Sequence, residues 1–448
     1  MSLTVVGGGL AGCEAAWQLA QRGHEVTLVE MRPVTGTPAH QTDGLAELVC
    51  TNSFKSEDPT NAHGLLKREM RTLGSLLLAA AQPARVAAGT ALAVDREIFS
   101  RTMAEMIGSH PRIRVERREV TSLPDGPAVV ATGPLTSPAL TGEVQRLLGD
   151  DGLAFFDSIA PIVAFESVDM EKAYMLSRHG KGEGDDYLNC PLDRDGYYAF
   201  VEAVAAADVY PGHDWENVPF FEGCLPIEVM VARGPETLRF GPMRPIGLPD
   251  PRTGREPYAV LQLRREDREG QMWNMVGFQT RLRTGEQRRV FRMIPGLEDA
   301  EFLRMGSIHR NTYLNFPGRL APYGATAERP RLLFAGQLTG VEGYTESAAS
   351  GILAGVNLDR LVRGEDATVP PPETMLGGLY RYLREARRDD FQPMNSNFGL
   401  LSPLEARVRD KRRKREMQAE RGERALAGWM ETHGIAGVEV PAALEVAS

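Results

Sequence analysis

The feature that most constrains this chain is Gly7-x-Gly9-x-x-Gly12, which lies between a β-rich run, Thr4-Val5-Val6, and a helical pattern over Ala11–Gln21. Each glycine has a mechanical reason. Gly7 permits the tight turn, Gly9 lets the backbone approach a pyrophosphate, and Gly12 lets helix and strand pack closely. The helix N-terminus turns free N–H groups and its positive dipole end toward the phosphates. Gly23 closes the helix, and Val26–Val29 reads as a second strand ending at Glu30, a side chain able to accept hydrogen bonds from a ribose. A glycine pattern alone is weak, but strand and helix in the right order make a dinucleotide site. The candidate cofactor residues here are Gly7, Gly8, Gly9, Leu10, Ala11, Gly12, Glu30 and Arg32.

The 448 residues suit two or three packed units, and 42% hydrophobic with 25% charged residues is ordinary for a globular protein. No stretch approaches the roughly 20 consecutive apolar residues of a membrane span. The apolar start runs straight into Gly7-Gly8-Gly9 without a basic lead, unlike a signal peptide, so a cytoplasmic location is expected. Cys13, Cys50, Cys190 and Cys224 are widely and irregularly spaced. Without a C-x-x-C pair neither a zinc site nor a dithiol redox motif is expected, and no metal is. Each cysteine is a small core residue or a reactive thiol. The net charge of -9 argues against a protein that coats nucleic acid, although a local basic face can dominate binding.

Residues 34–64 read as a long polar loop, followed by helix over Leu65–Ala81 and Asp95–Ile107 and strands at Ile113–Val115 and Ala128–Ala131. From about residue 160 the texture changes. Tyr258–Leu263 and Met272–Phe278 predict an antiparallel hairpin, and Gly285–Met293 and Ala300–Met305 predict short helices. Leu332–Ala335 returns to buried strand, Ser347–Leu361 is a helix of small residues, and Pro370-Pro371-Pro372 is a stiff linker. A helix near Thr374–Arg388 and a charged helical tail beyond Leu404 complete the pattern. The expected fold is α/β: a discontinuous Rossmann-like domain over 1–165 and 320–448, holding an inserted α+β domain over 166–319.

Two later segments separate FAD from NAD. Val129-Val130-Ala131-Thr132-Gly133 is similar to the second dinucleotide-binding strand end of the large two-part FAD family, and Leu332–Gly336 leading to Gly343 is similar to its third segment. In such proteins the late helix aims its N-terminus at the flavin pyrimidine, where a positive dipole end stabilises negative charge. Thr132, Gly133, Gly336, Gln337, Glu342, Gly343 and Tyr344 join the cofactor set.

The run Phe334–Gly351 resembles the hallmark of the tRNA-modifying flavoproteins, the MnmG (GidA) and TrmFO families. Leu48–Lys55, Phe221–Glu228, Thr237–Met243, Gly277–Thr280, His309–Thr312 and Asn397–Leu400 resemble TrmFO specifically, over nearly the whole chain. MnmG proteins carry a further C-terminal helical region. The resemblance implies a tRNA methyltransferase that makes 5-methyluridine at position 54 of the T-loop. The carbon would come from 5,10-methylenetetrahydrofolate, with FAD reduced by NADH or NADPH.

C5 of uracil is a poor nucleophile. A thiolate adding to C6 makes it enolate-like, and a second group must then remove the C5 proton. Cys50 lies in the polar loop near Lys55, a cation suited to activating a thiol. Cys224 lies in Gly-Cys-Leu-Pro-Ile-Glu, the most TrmFO-like segment outside the flavin motif. The resemblance implies that both are catalytic, with Cys224 favoured as the nucleophile and Cys13 and Cys190 left to the core. It further implies a folate-binding role for His309, stacked on the pterin, and for Asn311. Arg407, Arg412 and Arg413 belong to a basic cluster over 404–415, and Arg281, Arg283, Arg288, Arg289 and Arg292 to another. Either is a solvated helix face or an RNA-phosphate surface with salt-dependent binding. A monomer is compatible with these features. The alternatives are an MnmG-like wobble-uridine enzyme, a small-molecule flavin oxidoreductase and a non-catalytic RNA-binding flavoprotein.

Overall fold

The computed structural model describes residues 2–149, 153–210, 225–388, 391–405 and 407–441. The chain opens with β1 (Leu3–Val6), α1 (Leu10–Gln21) and β2 (Val26–Glu30). Next come β3 (Ser53–Ser56), α2 (Ala62–Leu73), α3 (Leu76–Ala80), β4 (Arg85–Val86), β5 (Ala91–Val94), α4 (Arg96–Ser109), β6 (Ile113–Arg117), β7 (Ala128–Val130) and α5 (Pro138–Leu148). The middle holds β8 (Leu153–Ile159), β9 (Ile162–Ala164), β10 (Tyr174–Met175), β11 (Tyr187–Leu192), α6 (Arg194–Ala205), α7 (Ile227–Arg233) and α8 (Thr237–Phe240). It continues through β12 (Ala259–Arg265), β13 (Met272–Met275), α9 (Thr284–Phe291), β14 (Phe302–Arg304) and β15 (Ser307–Tyr313). Last come β16 (Leu332–Phe334), α10 (Tyr344–Val362), α11 (Met375–Glu385) and α12 (Lys411–Thr432).

The first sheet is parallel, in the order β16-β7-β1-β2-β6, with Val5 opposite both Leu28 and Val129. Counted along the chain within the sheet this is the 3-2-1-4-5 order of a doubly wound dinucleotide fold. Its strands are short apolar runs because both faces are covered: Val5, Leu28, Val129, Val130 and Leu333 are all fully buried. Helices α1 and α10 pack on each other at glycine. A Cβ at Gly351 would lie 2.1 Å from the Ala11 carbonyl oxygen, and one at Gly355 would lie 2.7 Å from Gln18 Cβ.

A second sheet, β10-β11-β12-β13-β9-β14, is antiparallel and carries its own core around Tyr197, Phe200, Trp273, Phe278 and Phe291. The antiparallel ribbon β8–β15 leads the chain from the first sheet to the second and back. The fold class is therefore the α/β class expected, a parallel dinucleotide sheet interrupted by a mixed unit.

Three local expectations need correction. The helix expected over Leu65–Ala81 is two helices, because Gly74 ends α2 in the left-handed region at φ 82° and Ser75 caps α3. Ala300–Met305 contains a strand, β14, that pairs with β9. The loop expected over 34–64 contains β3, which pairs with β5. The charged tail is a docked helix. Asp410 caps α12, and Leu426 and Trp429 are buried beneath its charged face.

Candidate active site

A cleft opens at the C-terminal ends of β1, β2, β7 and β16. This is where open α/β sheets bind ligands. Of the expected cofactor residues, Gly7, Gly9, Leu10, Ala11, Glu30, Arg32, Thr132, Gly133, Gly336, Gln337 and Tyr344 line it. Gly8, Gly12, Glu342 and Gly343 do not line it. The cleft also draws in Val49, from the Leu48–Lys55 motif, and His40, Glu47, Glu119 and Ser137, which no motif marked.

The three motif glycines differ in what demands them. Gly7 has φ 104°, and a Cβ there would lie 2.5 Å from the Ala131 carbonyl oxygen. A Cβ at Gly12 would lie 1.8 Å from the Gly7 carbonyl oxygen. Packing alone requires both. Gly9 has an ordinary φ of -78°, and a Cβ there would meet nothing within 4 Å. Neither packing nor backbone geometry requires glycine at that position, so the space left over the α1 N-terminus suits a closely approaching pyrophosphate. On this ground the residues present fit a bound dinucleotide.

Glu30 is tied into the turn. Its Oε2 accepts from the Gly8 N–H at 2.8 Å, and its Oε1 accepts from the Arg32 N–H at 3.0 Å and Arg32 Nε at 2.9 Å. Burial works against its charge, but the Arg32 guanidinium and these donors hold its carboxyl below the usual range. Arg32 also donates to the Thr42 carbonyl, the Gly44 carbonyl and Glu47 Oε2, pinning the polar loop to β2. Helix α10 begins at the cleft after Gly343, at φ 107°, with no side-chain cap, and its Tyr344 and Ser347 line the wall. Gln337 Nε2 donates to Glu342 Oε2 at 2.6 Å.

Cys50 follows Val49 at the cleft edge, partly exposed and outside any disulfide. Its N–H and that of Thr51 donate to the Tyr344 hydroxyl, at 2.8 and 3.3 Å. Burial, then the neighbouring Cys50, push the Tyr344 phenol up, so it stays a neutral phenol. Asn52, fully buried, donates to the Val94 and Arg265 carbonyls at 3.0 and 2.9 Å. Arg264 on β12 donates to Asn52 Oδ1 and Thr51 Oγ1 at 3.0 and 2.8 Å. Lys55, the cation expected beside the thiol, is exposed at φ 61°, and its charge acts on the buried Glu346. Burial opposes ionisation of Glu346, yet His63 Nδ1 at 3.1 Å, Lys55 and the Ser396 N–H hold its carboxyl down at about 2.

Cys224 lies outside the described residues. His309 sits on β15 with its backbone opposite Asp157, and its side chain is also outside the described set. Asn311, two residues on, is buried at 4% exposure. Cys13 and Cys190 are buried, and burial pushes both thiols up, as suits core residues. Arg407, Arg412 and Arg413 are exposed, with Arg412 and Arg413 each 3.3 Å from Glu416 on α12. The Arg415 guanidinium lies over the Phe398 ring, 5.3 Å from its centre.

Comparison with known proteins agrees with this geometry. The family model described as glucose inhibited division protein A matches residues 2–366. The methylenetetrahydrofolate–tRNA-(uracil-5-)-methyltransferase TrmFO of Geobacter sulfurreducens is 57% identical over 432 residues, covering 96% of this chain and 99% of that protein. The protein of the same name from Moorella thermoacetica is 53% identical, covering 97% and 98%. The crystal structure of Aquifex aeolicus GidA superposes with a TM-score of 0.65 at 16% identity, over 96% of this chain and 76% of that one, which supports the fold. A match of this identity over nearly the full length of both chains, joined to a dinucleotide cleft with a cysteine at its edge, means that the chain belongs to the TrmFO family within the wider GidA group.

Proposed function

We infer that this chain is a methylenetetrahydrofolate- and FAD-dependent tRNA (uracil-5-)-methyltransferase. The observation that carries this is the 57% identity to a protein of that name across 99% of its length. The GidA alternative has less support, since GidA of Aquifex aeolicus is 16% identical, a likeness that supports the fold alone.

The dinucleotide cleft would hold FAD, with Gly9 and the α1 N-terminus at the pyrophosphate and the α10 N-terminus at the flavin ring. Bound FAD, reduced by NADH or NADPH, supplies the electrons that take the transferred carbon from methylene to methyl. The remaining work falls to the chain's own residues. A cysteine thiolate must add to C6 of the uracil, and we assign this to Cys224. A second group must take the C5 proton, and Cys50, held at the edge of the cleft, is placed in that role. His309 and Asn311 would bind the folate. The ring must leave the stacked T-loop to reach such a cleft, with position 54 as the target. Arg412 and Arg413 on the exposed face of α12, and Arg407 in the segment just before it, would hold phosphates. We assign the flavin role to residues 1–165 and 320–448 and part of the substrate surface to the inserted unit over 166–319. The enzyme would act in the cytoplasm, where tRNA is found.

The test is methyl transfer to unmodified tRNA by the purified flavin-bound protein, with methylenetetrahydrofolate labelled on the transferred carbon plus NADPH. Label should appear in 5-methyluridine after digestion and vanish without the folate. Cys50→Ala and Cys224→Ala should each lose methyl transfer by about 100-fold or more. No label from protein that retains flavin and binds tRNA would overturn the assignment in favour of the GidA-like alternative.

A further inference from the structure

The segment that carries Cys50 is held by side chains drawn from distant parts of the chain. Three successive carbonyls, those of Leu48, Val49 and Cys50, all accept from guanidinium groups. Arg96, the first residue of α4, donates to the Leu48 carbonyl through one Nη and to the Cys50 carbonyl at 3.4 Å through the other. Arg304, the last residue of β14, donates to the Val49 carbonyl at 3.0 Å. Arg96 is itself anchored. Its Nε donates to Glu266 Oε2 at 2.6 Å, and Glu266, just past β12, is 2% exposed. The charges gathered here are Arg96 from α4, Arg304 from β14 and Glu266 from the β12–β13 turn. The Tyr344 phenol of α10 faces the same segment.

This arrangement is costly unless it is used. Two guanidinium groups stand close enough that Arg304 is pushed down first by burial and then by Arg96. Like charges in a partly buried site destabilise each other, so packing alone would favour an apolar side chain at one of the two positions. Leu48 is buried and Val49 and Cys50 are half-buried, so their carbonyls need protein partners. Here they are taken by a rigid fork that fixes direction as well as distance. The second sheet supplies Arg304 and Glu266, so the attitude of the Cys50 backbone is set by the inserted unit and not by the dinucleotide sheet alone.

We propose that Arg96 and Arg304 are positioning residues for Cys50, with Arg304 carrying the grip of the second sheet onto the loop and Glu266 locking Arg96. Neither side chain takes part in the chemistry. They fix where the Cys50 thiol stands relative to the cleft. This rests on the reading that Cys50 is catalytic, and misplacing a catalytic group by about 1 Å costs on the order of 100-fold in rate.

The test uses flavin-bound Arg304→Met, Arg304→Lys and Glu266→Gln proteins, compared by steady-state methyl transfer and by the rate at which iodoacetamide alkylates Cys50, read from the Cys50 peptide by mass spectrometry. Arg304→Met should lower kcat by about 10- to 100-fold. KM for the folate and for tRNA should stay within about threefold, flavin content should be unchanged, and Cys50 alkylation should become faster as the loop is released. Arg304→Lys, which keeps a donor for the Val49 carbonyl, should recover most of kcat. Glu266→Gln should show the same pattern more weakly, and it serves alone if Arg304→Met does not fold. Unchanged Cys50 alkylation in both Arg304→Met and Glu266→Gln would overturn the proposal. So would a loss of kcat that Arg304→Lys does not restore. Cys50→Ala is assayed in parallel. If it keeps full methyl transfer, the catalytic reading of Cys50 fails, and the alkylation rates still decide whether the arginines hold the loop.

Discussion

At the scale of single residues, the glycine motif separates into positions demanded by the protein and one left open for a ligand. Gly12→Ala would drive a methyl group into the Gly7 carbonyl oxygen, 1.8 Å away. It should destabilise the folded protein by roughly 3 kcal/mol and lose flavin as a consequence. Gly9→Ala meets no protein atom within 4 Å and sits at a permitted φ. Its apoprotein should melt within about 1 kcal/mol of wild type, the cost of alanine at a helix cap, while FAD affinity falls at least about tenfold. Thermal melts of the apoproteins set beside flavin titrations separate the two cases, and a Gly9→Ala protein that binds flavin normally would remove the pyrophosphate from this position. The glycines were legible in the sequence because their spacing between a strand and a helix within one βαβ unit is a local pattern, although the Ala131 carbonyl that crowds Gly7 comes from the later strand β7. The grip on Cys50 was not. Arg304 is 255 residues from Val49, and Glu266 is 170 from Arg96. An isolated arginine in a strand or at a helix start carries no pattern of its own, and only folding shows which carbonyl it reaches.

At the scale of elements, the pairing of α1 with α10 joins the first and last parts of the dinucleotide fold, and both helices begin at the cleft. The run of small residues in α10 is the sequence trace of that contact. Gly351→Leu would place a side chain where the Ala11 carbonyl oxygen lies 2.1 Å from the Cβ position. The helices must then separate, and the expected protein is flavin-free with a lowered Tm. Thr374→Ala, which removes only the cap hydroxyl of α11, should cost about 1 kcal/mol and leave flavin in place. Equal flavin content in the two purified proteins would argue that the α1–α10 contact does not shape the cleft. Elements with a strong internal period were readable in advance, as β1, α1, β2, the β12–β13 hairpin and α10 were. Those decided by their neighbours were not. Phe302–Arg304 is three residues long and becomes a strand because β9 offers an edge. At the Gly74 turn between α2 and α3, the Val438 carbonyl oxygen lies 2.1 Å from where a Cβ would stand, so a residue of the C-terminal tail leaves room only for glycine at a turn near the start of the chain.

At the scale of the whole molecule, two buried glutamates tie helices together across the fold and give its stability a pH dependence of definite sign. Glu14 of α1 accepts from the Ser75 hydroxyl and from the Leu76 and Leu77 N–H groups, both at 3.0 Å, at the start of α3. Glu69 of α2 accepts from the Met375 and Leu376 N–H groups at 2.6 and 2.9 Å, at the start of α11. Each caps another helix from outside. Burial pushes both carboxyls up to about 7, against the pull of those donors. In the unfolded chain they release their protons near the ordinary value of 4.5. Between 4.5 and 7 the folded protein therefore holds protons that the unfolded chain has lost, and raising the pH through that window favours unfolding. The contribution of the pair is fully present below about 4.5 and lost by about 7. Glu346 runs the other way. Its carboxyl is held at about 2, so its contribution stands above 4.5 and disappears only as pH falls through 2, outside the working range. Replacing the pair with glutamine removes their titration and keeps one neutral acceptor in each site, while the amide nitrogen faces an N–H it cannot accept from. The Glu14→Gln, Glu69→Gln protein should therefore be the less stable at pH 5, where the wild-type carboxyls are themselves protonated, and should gain on wild type by on the order of 1 kcal/mol or more between pH 5 and pH 8. Thermal melts of the two proteins from pH 5 to pH 8 measure the difference directly. A gap that stays constant across that range would mean that the two carboxyls titrate at their ordinary value in the folded protein, with the helix N-termini they cap offsetting the whole cost of burying them.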